Sequence, residues 1–201
     1  MKLYYVPKSR ATRPRWVLEE LGVPYELVRL DASKGETHTP EHLARQPLGH
    51  VPVLEDGEIS LFESAAICLW LAERFPEKRL VPPAGTPGRA HAYQWLFFAV
   101  TEMEPPLNSI SAETRKPEAE RDARRIESSK ARFLKASAAL EPVLSRRPFL
   151  LGDEFSVADV IVGACLSWGR FATGGLEGLP ATEEYLKKLR ARPAWKRATA
   201  D

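Results

Sequence analysis

The chain has 201 residues, of which 44% are apolar and 28% charged, and 29 Lys and Arg against 27 Asp and Glu give a formal net charge of +2. That length can bury a core without disulfide staples, in one large domain or two small ones. The near-neutral balance argues against disorder and against a polyanionic partner such as nucleic acid. Apolar runs such as VIVGACLSWG are too short to span a bilayer, and the start MKLYYVPKSR lacks the apolar stretch of a signal peptide, so a cytoplasmic protein without a membrane role is expected. Cys68 and Cys165 each fall inside an apolar helical pattern with no CxxC, which suits reduced, buried thiols.

In chain order, KLYYV (2 to 6) reads as a strand, and residues 9 to 22 read as a helix with Ala11, Trp16, Val17 and Leu21 on one face and Gly22 closing it. YELVRL is a second strand, so this is a βαβ unit with parallel strands. THTPEHLA leads through a short helix into VPVLEDGEISLF, where Asp56-Gly57 signals a two-residue hairpin turn. A helix is expected over 64 to 75. The pattern is a small sheet covered by helices.

The Pro- and Gly-rich segment around 77 to 87 marks a linker, dividing a first domain (1 to 76) from a second (88 to 201). Beyond it the pattern is helical throughout: 88 to 113, broken or kinked at Pro105-Pro106, then 117 to 145, 156 to 171 and 182 to 192, an all-α bundle. Ser156 and Asp159 have the spacing of a capping box, with Phe155 placed for a hydrophobic staple, a structural motif without chemistry. The mixed charges of 117 to 145 read as a solvated helix face.

Two places in the first domain suggest a ligand. Pro52 opens a strand without donating to a ladder, so Val51 before it can offer its N–H and C=O to an extended peptide. Glu63-Ser64 lies where a strand turns into a helix, and the helix start with the Ser64 hydroxyl suits a carboxylate while Glu63 suits an ammonium. The alternative for Ser64 is a plain helix cap. A peptide with an amino-acid head would satisfy both ends.

PLGHVPVLEDG, LFESAAICLWLAERFP and FSVADV together resemble the glutathione S-transferase superfamily, over nearly the whole chain and in the expected order. The resemblance implies an α/β thioredoxin-like N-terminal domain joined to an all-α helical-bundle C-terminal domain, glutathione as co-substrate and a homodimer. It implies that Val51 pairs its backbone with the cysteine of glutathione, that Pro52 is cis, that Glu63 and Ser64 hold the γ-glutamyl head, and that His38 and His50 lie among the glutathione contacts. Gln46 stands where Asn is frequent and His50 where Lys is frequent, two departures from the family pattern. No metal is implied.

A free thiol with a pKa of about 8.5 is a few per cent ionised at neutral pH, so lowering it by two units is worth roughly 2.7 kcal/mol. Candidate donors at the end of the first strand and the start of the first helix are Tyr5, Ser9 and Arg10. In thioredoxin-like folds this segment carries redox cysteines. Here it reads VPKSRATR, so the thiol is borrowed from glutathione, and SRATR resembles the serine-type classes, favouring Ser9. Arg10 would act by charge instead. An apolar electrophile is expected between the domains, against Trp95, Phe98, Met103, Trp168 and Phe171. Alternatives that remain are a weakly catalytic assembly module and a glutathione-dependent isomerase, dehalogenase or peroxidase.

Overall fold

The computed structural model describes residues 1–200, which divide into two units: Met1–Val81 together with the segment from Ala191 onward, and Pro82–Arg190. In the first, β1 (Lys2–Tyr5), α1 (Thr12–Leu21) and β2 (Glu26–Arg29) make the βαβ unit, with β1 and β2 parallel and Leu3 opposite Leu27. Gly22 closes α1 at φ 68, donating to the Leu18 carbonyl at 3.0 Å. Two short 3-10 turns and α2 (Pro40–Arg45) follow, the latter capped by the Thr39 hydroxyl.

β3 (Val53–Asp56) returns antiparallel to β1, and β4 (Ile59–Phe62) antiparallel to β3, giving the order β2-β1-β3-β4. Asp56 pairs with Ile59, so the turn residues are Gly57 and Glu58, one position later than Asp56-Gly57. Gly57 takes φ 63 and so supplies the left-handed conformation at the first turn position. α3 (Ser64–Arg74) completes the unit. Leu3, Trp16, Val17, Leu18, Leu21, Leu54, Ile67 and Leu71 are its fully buried core.

The second unit is helical: α4 (Pro87–Phe98), a π turn (Ala99–Met103), α5 (Glu104–Thr114), α6 (Ala123–Ala138), α7 (Glu141–Leu144), α8 (Val157–Thr173) and α9 (Pro180–Ala191). Pro105 and Pro106 sit in the first turn of α5 rather than at a break. The π turn just before them absorbs the register change that their missing N–H groups impose. The expected helix over 117 to 145 resolves into a 3-10 turn at Glu118–Glu120, α6 and α7, since Pro142 can begin a helical segment but not sit inside one.

The assignment of all residues from 88 to 201 to the helical domain is corrected from Ala191 on. α10 (Pro193–Ala198) packs in the first unit, with Trp195 edge-on to Trp16 at 4.7 Å between ring centroids. Arg192 grips Glu20 with two hydrogen bonds of 2.6 and 2.8 Å, and Arg197 donates to Glu19 at 2.5 Å. The first unit is thus built from both ends of the sequence.

Candidate functional site

Strand register gathers the ligand-suited segments at one end of the first unit. Val53 faces Tyr4 on β1 and Phe62 on β4. Residues 51-52, just before β3, therefore lie beside the segment leaving β1 toward Ser9, and Glu63-Ser64, just after β4, lies on the other side. The Val51–Pro52 bond is cis.

At the start of α3, Glu63 is exposed and takes φ 72, a left-handed conformation that costs energy for a side-chain-bearing residue. Ser64 is the first helical residue, 5% exposed, and its hydroxyl accepts from the Arg13 guanidinium at 3.0 Å. The plain-cap reading of Ser64 is thereby set aside. Arg13 is 2% exposed and reaches across from α1, bringing a positive charge beneath the place proposed for a carboxylate. Local pattern does not single out Arg13, one of two arginines within the run TRPRW with the same exposed-helix appearance.

Before α1, Ser9 is half-buried and donates its hydroxyl proton to the Val6 carbonyl at 2.6 Å while accepting from the Ala11 N–H at 3.2 Å. Lys8, preceding it, takes φ 57, so strained backbone occurs at both Lys8 and Glu63, flanking this end of the unit. Arg10 is half-buried on the same loop. Tyr5 is only 9% exposed at the end of β1, with the Arg15 guanidinium 5.6 Å above its ring.

Between α2 and β3, His38 and His50 are exposed. Thr37 Oγ1 and His38 Nδ1 are 3.0 Å apart. Gly49 takes φ 68, and a Cβ there would lie 2.8 Å from both the Thr37 carbonyl and the His38 ring, so this loop admits only glycine. Gln46 is 3% exposed, and its Oε1 accepts the N–H groups of Leu48 and His50 at 2.7 and 2.9 Å. Its departure from Asn is therefore a loop-building role filled by a longer side chain.

Neither cysteine offers a nucleophile. Cys68, one turn along α3 from Ser64, is fully buried, and burial pushes its thiol well up, with Arg13 pulling weakly the other way. Cys165 is likewise buried in the second unit.

The aromatic residues expected at the electrophile separate by burial. Met103 is fully buried and is a core residue of the second unit, which corrects its assignment to substrate contact: the π turn rotates its side chain inward. Trp95 is 8% exposed and packs edge-on against Phe98 at 5.5 Å. Phe98 and Trp168 are half-buried, and Phe171 is 90% exposed.

Comparison with known proteins adds to this geometry. The family descriptions "Glutathione S-transferase, N-terminal domain" and "Glutathione S-transferase, C-terminal domain" match residues 1–73 and 118–197. The chain is 34% identical over 201 residues to the probable glutathione S-transferase GSTF2 of Oryza sativa subsp. japonica, covering 96% of this chain and 93% of that protein. It is 31% identical over 212 residues to the disulfide-bond oxidoreductase YfcG of Escherichia coli, covering 96% and 91%. Among solved structures, the glutathione transferase URE2P6 from Phanerochaete chrysosporium in complex with oxidized glutathione has a TM-score of 0.86 at 31% identity, covering 98% of this chain and 93% of that one.

Proposed function

Because the chain belongs to the glutathione S-transferase family, we propose that the end of the first unit where Ser9, Val51, Glu63 and Ser64 converge binds glutathione and activates its thiol. The activity is glutathione transfer, with glutathione as co-substrate. The observation that carries the site assignment is the register of β3. That register supports the reading, because residues 51-52 and 63-64 flank paired strands at the end of the sheet from which β1 leads toward Ser9.

In this reading, the Val51 backbone pairs with the cysteine unit of glutathione. Ser64, backed by Arg13, takes the α-carboxylate of the γ-glutamyl head and Glu63 its ammonium. His38 and His50 border the rest of the tripeptide. Ser9 turns its hydroxyl from the Val6 carbonyl to the sulfur, a trade favoured once the sulfur is an anion, since a charged acceptor outcompetes a neutral one. The thiolate then attacks an electrophilic carbon, the new C–S bond forming as the leaving group departs with its electron pair. Of the side chains expected to meet an electrophile, Phe98, Trp168 and Phe171 keep exposed surface within the second unit, with Trp95 packed against Phe98. The exposed apolar side chains of Leu48 and Phe62, 67% and 41% exposed, support a homodimer, and reduced buried thiols suit the cytoplasm.

The test is glutathione-dependent turnover of a chloronitroaromatic together with calorimetric binding of glutathione. Turnover is expected, and it falls when Ser9 is replaced by Ala. Binding without turnover of any electrophile would overturn the catalytic reading in favour of an assembly module. Turnover confined to disulfide substrates would move the chain toward the activity named for its Escherichia coli relative.

A further inference from the structure

The peptide joining His50 to Val51 is held by side chains of α2 and its cap. His42, within α2, is 2% exposed, and its Nε2–H donates to the His50 carbonyl at 2.8 Å. A carbonyl only accepts, so Nε2 carries the proton of this bond. Nδ1 is buried with no hydrogen-bond partner. On the other side of the same residue, Gln46 accepts the His50 N–H at 2.9 Å. Both backbone groups of His50 are therefore fixed by side chains and not by the sheet.

Peptide geometry converts this anchoring into a direction. The His50–Val51 bond is trans, and in a trans amide the C=O and N–H point to opposite sides of one plane. Tying the His50 oxygen to α2 turns the Val51 N–H away from α2. That N–H is taken by no other backbone group among the described residues. Gly49, just before this peptide, leaves no room for a side chain, since a Cβ there would lie 2.8 Å from both the Thr37 carbonyl and the His38 ring.

We propose that His42 is a positioning residue for glutathione, aiming the Val51 N–H at the cysteine unit of the ligand through the His50 carbonyl. The proposal rests on the reading of Val51 given above. His42 touches neither the sulfur nor the γ-glutamyl head, so its effect falls on binding and not on ionisation of the thiol. A ring that served only as packing against Tyr4, whose ring centroid is 6.3 Å away, would have no use for its donor.

Calorimetry and steady-state kinetics on the full chain distinguish the cases. His42→Phe keeps the ring and removes the donor, and it is expected to weaken glutathione binding about tenfold or more, about 1.4 kcal/mol. It should raise KM for glutathione in parallel while kcat at saturating glutathione stays within about twofold. His42→Gln, which restores an N–H donor, should recover most of the affinity. Unchanged affinity in His42→Phe overturns the proposal, as does a loss that His42→Gln fails to recover. Ring-labelled wild-type protein gives a reading that needs no variant to fold: the His42 Nε2–H resonance is expected to move when glutathione is added, and a resonance that stays in place while glutathione binds overturns the proposal. If the wild type takes up no glutathione in the same titration, the reading of the site itself fails instead.

Discussion

Glu63 holds a backbone conformation that glycine would adopt freely, at φ 72, and it does so where the proposed ligand head arrives. Its side chain is thus retained at the expense of stability. Glu63→Gly should raise unfolding stability by about 1 kcal/mol while weakening glutathione affinity about tenfold. Denaturant titration and calorimetry on the same preparation check both halves, and a variant that gains stability with undiminished affinity would remove Glu63 from the site. Ser9 makes the complementary case, because its hydroxyl proton is already committed to Val6 and must be redirected to do chemistry. Ser9→Ala should raise the pKa of the bound thiol by about one unit or more, and depress turnover far more at about pH 6.5 than at about pH 9, where the thiol ionises unaided. Ultraviolet difference titration of the complex reads the thiolate directly. If Arg10→Ala shifts the midpoint and Ser9→Ala does not, charge and not the hydroxyl activates the sulfur.

Asp159 shows how an element's terminus can outweigh its local motif. The capping box expected at Ser156 is present, but the Asp159 carboxylate also accepts from the Leu150 N–H at 2.9 Å and the Tyr185 hydroxyl at 2.8 Å, besides the Ser156 N–H and hydroxyl. Burial pushes its pKa up and the donors pull against that, so an isolated cap has become the hub of a buried network. Asp159→Ala should therefore cost about 3 to 5 kcal/mol rather than the 0.5 to 2 of a surface cap, because several buried donors lose their acceptor at once. Thermal unfolding measures this, and a loss under about 2 kcal/mol would mean water re-satisfies the site. Gly169 on α8 is a second packing constraint: a Cβ there would lie 1.9 Å from the Phe133 ring, so Gly169→Ala should cost about 1 to 3 kcal/mol through overpacking. The difference between what was legible in the sequence and what was not follows from this. Periodicity and turn residues are local, so strands, helices and the strand-end positions of Val51-Pro52 and Glu63-Ser64 are legible from them. The partners of Asp159, the reach of Arg13 to Ser64 and the grip of His42 on His50 depend on approach between distant segments, which local pattern does not encode. α10 was missed although Pro193 has the character of a first helical residue, because six residues carry too little periodicity to read.

At the scale of the whole molecule, the segment from Ala191 is fastened to the first unit by charge as well as by Trp195. Glu19 is buried in part, which opposes ionisation, but the Tyr25 hydroxyl and Arg197 outweigh that and hold its carboxyl below the usual range. A carboxyl with a depressed folded pKa contributes stability that is present above its unfolded value and is lost as pH falls through the folded one. Acidification below about pH 4 should loosen α10 while leaving the second unit protected. Hydrogen exchange of peptides covering 191 to 198 checks this, and Glu19→Gln should flatten the pH dependence. Tyr25 sets the alkaline side: burial first, and then its bond to Glu19, push it up to about 12, so its contribution is complete below about pH 10 and fades as pH climbs toward that value. The pairing of Arg192 with Glu20 spans 172 positions of sequence. A ribosome releases β1 through α3 long before it makes α10, and until then Trp16, wholly enclosed in the finished protein, lacks the ring that covers one of its faces. The half of the protein that is translated first is consequently the half that matures last, and a nascent chain stalled before residue 191 carries an unfinished first unit however complete its helical unit has become.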